Sequence, residues 1–131
     1  HTSKLLELAR EVAAQAYAPY SGFHVGAALV SAAGNVYQGC NVENASYGLT
    51  ICAERNTIFQ AVAKEGKAFR LQRIVVVCLG EDGFPPCGAC RQVISEFSLP
   101  GAEISFTRTG QVITSSIEEL LPASFKLSDR S

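Results

Sequence analysis

Residues 73–79 read Arg73-Ile74-Val75-Val76-Val77-Cys78-Leu79, and this unbroken apolar run decides the fold class. Strict alternation of apolar and polar residues would mark a strand with one wet face. Six consecutive apolar residues mark instead a central strand covered on both faces. Such a strand needs helices above and below it, so a three-layer α/β/α domain is expected.

The flanking sequence supplies the layers. From Ser3 to Ala18, the residues Leu5, Leu8, Val12 and Ala16 recur at helical spacing, and Pro19 is expected to end that helix. Val25–Ser31 and Val36–Cys40 flank the turn Ala33-Gly34-Asn35 and read as a hairpin. A polar loop, Asn41–Thr50, leads into a helix over Cys52–Glu65, with Ile58 and Val62 inward and Gly66 just past its end. Gly80–Pro86 reads as a loop and Cys87–Phe97 as a third helix. Glu103–Thr107 and Val112–Ser116 read as strands, and Ser116 can cap a last helical turn through Leu121 before Pro122. No repeat, low-complexity segment or linker interrupts the 131 residues, so one domain over 1–131 is expected.

Composition narrows the function classes. Hydrophobic residues make up 47% and charged residues 18%, the balance of a globular protein. The formal net charge of -1 offers no basic excess for a nucleic-acid surface. No apolar run approaches the ~20 residues that cross a bilayer and no signal-peptide pattern opens the sequence, so a cytoplasmic setting without membrane contact is expected. Five cysteines cannot all pair, and cytosolic thiols stay reduced. Cys40 and Cys78 sit inside apolar stretches and read as packing residues. Cys52, Cys87 and Cys90 do not.

Cys52 and Cys87 stand where two helices begin, and a helix N-terminus favours thiolate over thiol. Three thiolates can hold Zn²⁺ tetrahedrally and leave a fourth position to water, the arrangement of catalytic zinc sites. Glu54, two residues after Cys52, can reach such a water without being a ligand and can exchange protons with it. Three thiolates on Zn²⁺ carry net charge -1, which a guanidinium would offset; Arg55, and less so Arg91, is the candidate. A lone C-x-x-C such as Cys87–Cys90 leaves catalytic zinc, structural zinc and no metal all open. The joint pattern Cys52-x-Glu54 … Pro86-Cys87-x-x-Cys90 matches the zinc deaminase signature, with Cys in place of its first His. His24 reads as a solvent-facing residue, and Lys64-Glu65-Gly66-Lys67 as a solvated helix end.

The segment Asn41-Val42-Glu43-Asn44-Ala45-Ser46-Tyr47-Gly48-Leu49-Thr50-Ile51-Cys52-Ala53-Glu54-Arg55 resembles the core of the small homotetrameric cytidine deaminases. So do Ala18–Phe23 with Val25–Ala28, Pro86–Val93, and Glu119–Phe125, in the same order along the chain. Asn56-Thr57 and the residues before Ser124 depart from the family's usual pattern, away from any position assigned to chemistry. The resemblance implies a mixed five-stranded sheet, one Zn²⁺ per subunit, and hydrolytic deamination of free cytidine and 2′-deoxycytidine in pyrimidine salvage. It implies that Asn41 and Glu43 bind the ribose 3′-hydroxyl, that Phe23 packs on sugar and base, and that the Ala53 backbone bonds the base carbonyl. It further implies a homotetramer, in which Phe125 stacks in a neighbour's site and Ala45 and Tyr47 line a shared wall. Three rivals stand beside it: a tRNA adenosine deaminase, disfavoured by Cys52 in place of His and by the charge balance; a deaminase of a cytosine-containing antibiotic nucleoside; and a non-catalytic zinc module, in which Glu54 would be dispensable.

Overall fold

The computed structural model describes residues 2–80, 85–108 and 110–127. Helix α1 (Thr2–Ala13) precedes the hairpin of β1 (Val25–Ser31) and β2 (Val36–Cys40). Helix α2 (Ala53–Glu65), strand β3 (Leu71–Cys78) and helix α3 (Gly88–Phe97) follow, then β4 (Ser98–Arg108), β5 (Gln111–Ser116) and the single turn α4 (Ile117–Leu120). The five strands form one mixed sheet in the order β2-β1-β3-β4-β5, in which β3 and β4 are parallel and the other neighbours antiparallel. The expected architecture is the observed one.

The β3 run behaves as its composition requires. Ile74 and Val76 join a core with Leu29, Ile58, Ile94 and Ile104, where α2 and α3 lie. Val75 and Val77 face the other way, into a core with Leu5, Ala9 and Ala13 of α1. Burial of both faces leaves no room for a polar residue from Ile74 to Cys78.

Two glycines bring the helices onto the sheet. A Cβ on Gly26 of β1 would lie 2.0 Å from the Ala9 carbonyl oxygen and 2.8 Å from the Ala13 nitrogen of α1. A Cβ on Gly39 of β2 would lie 2.7 Å from Thr57 Oγ1 of α2. The helix backbones therefore rest directly on these two positions, one from each side.

The first helix is shorter than the sequence indicates. It stops at Ala13 rather than Ala18, although Ala14-Gln15-Ala16 favours helix. The backbone is recruited elsewhere: Tyr17 N–H donates to the Asn41 carbonyl at 3.1 Å, and Glu43 N–H donates to the Tyr17 carbonyl at 2.8 Å. Its buried face is Leu5, Ala9 and Ala13 rather than Leu5, Leu8, Val12 and Ala16, because small residues are needed against Gly26. Strand β4 begins at Ser98, five residues before the expected Glu103, because Pro100-Gly101 is absorbed as an irregularity: Leu71 pairs with Ser98 and Arg73 with Glu103. Strand β3 runs from Leu71 to Cys78 rather than from Arg73 to Leu79. The turn α4 carries the expected Ser116 cap, completed by Glu119 as a capping box. Within the expected Gly80–Pro86 loop, residues 81–84 lie outside the described residues.

Glu65 is no solvated helix end. Its Oε2 accepts from Ser31 Oγ at 2.7 Å, Asn35 Nδ2 at 2.9 Å and Tyr37 Oη at 2.9 Å, fastening the end of α2 to the hairpin turn. These donors, Asn35 foremost, hold its carboxyl below the usual carboxylate range.

Gly26→Ala is expected to destabilise the fold by about 3 kcal/mol, the upper end for overpacking, since the new methyl meets backbone on α1. Gly48→Ala, where a Cβ meets nothing within 4 Å, serves as the near-neutral control in urea unfolding. For Glu65, the lowered folded pKa contributes stability that is fully present above the unfolded value of about 4.3 and lost as pH falls through the folded value. The gap in urea midpoint between wild type and Glu65→Gln should therefore be widest near neutrality and close as the solution is acidified below pH 4.3.

Candidate metal centre and active site

Strand direction decides where the chemistry gathers. β2 is antiparallel to β1, and β1 to β3, so β2 and β3 run the same way. Helix α2 leaves after β2 and α3 after β3, and both helices therefore start at the same edge of the sheet. Cys52 is the N-cap of α2 and Cys87 the N-cap of α3, each with extended backbone (φ -73, ψ 156 and φ -64, ψ 169). Cys90 follows in the first turns of α3, and its N–H donates to Cys87 Sγ at 3.4 Å. The three sulfur atoms lie within 4.8 Å of one another.

So close a group cannot ionise freely. The Cys90 thiol donates to Cys52 and, aided by Arg55 and opposed by burial, brings Cys52 down to about 5. Cys90 is pushed up in return, first by that same hydrogen bond, then by its burial and by the charge of Glu54. One thiolate is stable there without help; three require a soft cation among them. An all-sulfur donor set fits Zn²⁺, and with three sulfurs in the group among the described residues a fourth position stays available. Arg55 Nη2 donates to Cys52 Sγ at 3.5 Å, and the sulfur group holds the guanidinium firmly charged. Arg91 does something else: it donates to the Pro86 carbonyl at 2.6 Å and the Leu120 carbonyl at 2.8 Å, clamping the entry of α3 to the end of α4.

Beside the sulfurs opens a cavity of about 390 Å³. Cys52, Ala53, Glu54 and Cys87 line it at the helix ends; Phe23, Asn41 and Glu43 line it from the loops. Glu54 is only 6% exposed. Burial above all, with the nearby Cys52 charge adding, raises its carboxyl to about 7, so it can both hold and release a proton near neutrality.

Asn41 and Glu43 are buried, and both are tied to the preceding loop. Asn41 Oδ1 accepts from Val25 N–H and its Nδ2 donates to the Phe23 carbonyl, each at 2.9 Å. Glu43 Oε1 accepts the N–H groups of Tyr20 and Ser21 at 3.0 and 3.1 Å, and its Oε2 accepts the Ser21 hydroxyl. Those bonds, the Ser21 hydroxyl first, keep its carboxyl below the usual range and so ionised.

Of the residues singled out in the sequence, the chain thus gathers Cys52, Ala53, Glu54, Cys87, Phe23, Asn41 and Glu43 around one cavity, with Cys90 in the sulfur group and Arg55 bonded to Cys52 beside it. Ala45, Tyr47 and Phe125 are exposed and do not line this chain's cavity; Tyr47 packs edge-on against Tyr20, ring centroids 6.3 Å apart. His24, expected in solvent, is half-buried and stands outside the sulfur group. Cys78 is buried as expected, but it also faces the cavity. Sequence reading missed Ser21, Val25, Thr50, Val76, Val77 and Pro85, which complete the lining. A usable signal existed for Val76 and Val77: they close a strand that enters a crossover, where α/β sheets bind ligands.

Residues 1–104 match the family described as the cytidine and deoxycytidylate deaminase zinc-binding region. The chain belongs to that family. It is 41% identical over 129 residues to a cytidine deaminase of Sporosarcina psychrophila, covering 98% of this chain and 93% of that one. With a cytidine deaminase of Halalkalibacterium halodurans the identity is 44% over 115 residues, 87% of this chain and 86% of the relative. The crystal structure of cytidine deaminase from Burkholderia pseudomallei superposes with a TM-score of 0.86 at 46% identity, covering 95% and 99% of the two chains. That from Mycobacterium leprae superposes at 0.80 with 38% identity, covering 93% and 98%.

Cys87→Ala removes the most exposed of the three sulfurs and should leave a protein that folds but holds far less zinc per chain than wild type after desalting, as elemental analysis would read. Wild-type zinc content in this variant would remove Cys87 from the metal group.

Proposed function

We propose that the protein is a zinc-dependent hydrolase that converts free cytidine and 2′-deoxycytidine to uridine and deoxyuridine with release of ammonia. The observation that carries this reading is Glu54: a buried carboxyl that shares a cavity with Cys52 and Cys87 of a three-sulfur group.

Zinc held by Cys52, Cys87 and Cys90 would supply a water that ionises near neutral pH. Everything else falls to the chain. Glu54 takes the proton of the attacking water as its oxygen bonds C4 of the cytosine ring, and delivers that proton to ring N3. Glu54 then takes the proton of the new C4 hydroxyl and gives it to the exocyclic amine, the C4–N bond breaks, and ammonia leaves as C4 becomes a carbonyl. A carboxyl poised near neutrality serves both transfers. Arg55 offsets the negative charge of the sulfurs. The Ala53 N–H, in the first turn of α2 and without an intrahelical acceptor, is a donor for the base carbonyl. Asn41 and Glu43 take the ribose 3′-hydroxyl, and Phe23, 43% exposed at the cavity, packs on sugar and base.

The ionised Glu43 also bears on substrate class. It accepts a bond from a sugar hydroxyl and repels a 3′-phosphate, which favours free nucleosides over nucleic-acid chains. We read the chain as one catalytic domain of a homotetramer, acting in cytoplasmic pyrimidine salvage, with Phe125 entering a neighbour's site and Ala45 and Tyr47 on the shared wall. In support, Tyr47 is 74% and Phe125 68% exposed, and Tyr17, Val42, Leu49 and Phe59 add further uncovered apolar surface. Among the described residues no helix is long and apolar enough to cross a membrane.

Glu54→Gln is expected to keep its zinc and its urea midpoint while cytidine turnover, followed by ultraviolet absorbance, falls by about 10³-fold or more. A variant that deaminates at near wild-type rate would defeat the assignment of Glu54 and return the metal to a structural role.

A further inference from the structure

The hydroxyl of Ser21 sits at a junction that the proposed chemistry does not use. It donates to Glu43 Oε2 and accepts the Phe23 N–H at 3.0 Å, while the Ser21 N–H donates to Glu43 Oε1 at 3.1 Å. Ser21, Phe23 and Glu43 all line the cavity that contains Glu54. Gly22 between them adopts φ +75, a left-handed turn that folds Phe23 back over the Ser21 side chain.

A carboxylate offers about four acceptor positions. Tyr20 N–H, Ser21 N–H and Ser21 O–H occupy three on Glu43. The two backbone donors fall on Oε1, and among the described residues the hydroxyl alone holds Oε2. Without it the carboxylate keeps its charge and its tie through Oε1, but Oε2 is no longer aimed, and the Phe23 N–H loses its acceptor. One hydroxyl thus orients a polar group and an aromatic ring that face the same ligand.

We propose that Ser21 is a positioning residue of the nucleoside site, presenting the remaining acceptor of Glu43 and the ring of Phe23 to the sugar together. This rests on the reading of Glu43 and Phe23 as nucleoside-binding residues given above. Ser21 touches no reacting atom, so its effect belongs in substrate binding rather than in the chemical step.

The test uses the zinc-loaded full chain as wild type, Ser21→Ala and Ser21→Thr, with cytidine and 3′-deoxycytidine as substrates. Ser21→Ala should raise KM for cytidine about tenfold while kcat falls much less, the loss expected of a charge-assisted hydrogen bond. The same substitution should change KM for 3′-deoxycytidine far less, because the hydroxyl that Glu43 would receive is missing. Ser21→Thr, which restores the hydroxyl, should return KM for cytidine towards wild type. An unchanged KM in Ser21→Ala, or an equal rise on both substrates, overturns the proposal. A fall in zinc content or urea midpoint that accounts for the lost activity also overturns it, making Ser21 a residue of the fold. If wild type itself fails to discriminate against 3′-deoxycytidine, the reading of Glu43 falls and this inference with it. If wild type discriminates and Ser21→Ala is unaffected, only the role of Ser21 falls.

Discussion

Two helix N-termini converge on one edge of the sheet, and the candidate site depends on that convergence. It follows from strand direction. Because β1 is antiparallel to both β2 and β3, the helices that leave β2 and β3 start side by side. Each N-terminus carries unpaired N–H groups and a partial positive charge, and each has a cysteine at its cap. The sulfurs lie within 4.8 Å of one another at these two helix starts. Gly39 supports the arrangement, since the missing Cβ lets α2 lie directly on the sheet, while Gly26 does the same for α1 on the opposite face.

The electrostatics of the site follow from this crowding. Burial raises Glu54, negative charge on Cys52 raises it further, and Arg55 limits the rise. The Cys90 thiol, with the same Arg55 assisting, lowers Cys52. Cys52, Glu54 and Arg55 thus act on one another at the start of α2, and Cys90 of α3 acts on Cys52 across the gap between the helices. A carboxyl near pH 7 is costly in isolation and useful beside a proton-transferring reaction.

The loop side of the cavity is built on different terms. Asn41 and Glu43 are buried polar residues, and each is satisfied by the backbone of residues 20–25 before any ligand arrives. Their side chains therefore hold still. A site whose polar groups are already locked loses less entropy on binding than one assembled by the substrate. The loop is also where exposed aromatic surface begins, with Tyr20, Phe23 and Tyr47 in partial or full contact with solvent.

Much of this was legible in the linear chain. The apolar run at β3, the glycine turn of the hairpin, the Ser116 cap and the placement of three cysteines at or just past helix starts depend on local pattern, and local pattern is carried by neighbouring residues. The end of α1 was not legible, since Ala14-Gln15-Ala16 favours helix and only the distant carbonyl of Asn41 and N–H of Glu43 draw Tyr17 out of it. Nor was Glu65, whose three partners lie 28 to 34 residues away, or Arg91, which the sequence offers as a companion of the sulfurs and the fold turns toward Pro86 and Leu120. The sequence alone determined which residue types could do chemistry and which segments would be helix or strand, because those properties reside in short stretches of chain. Tertiary structure alone decided which of those residues share a cavity, how their protons are distributed and which backbone groups they serve, because burial and distance arise only when remote segments pack together.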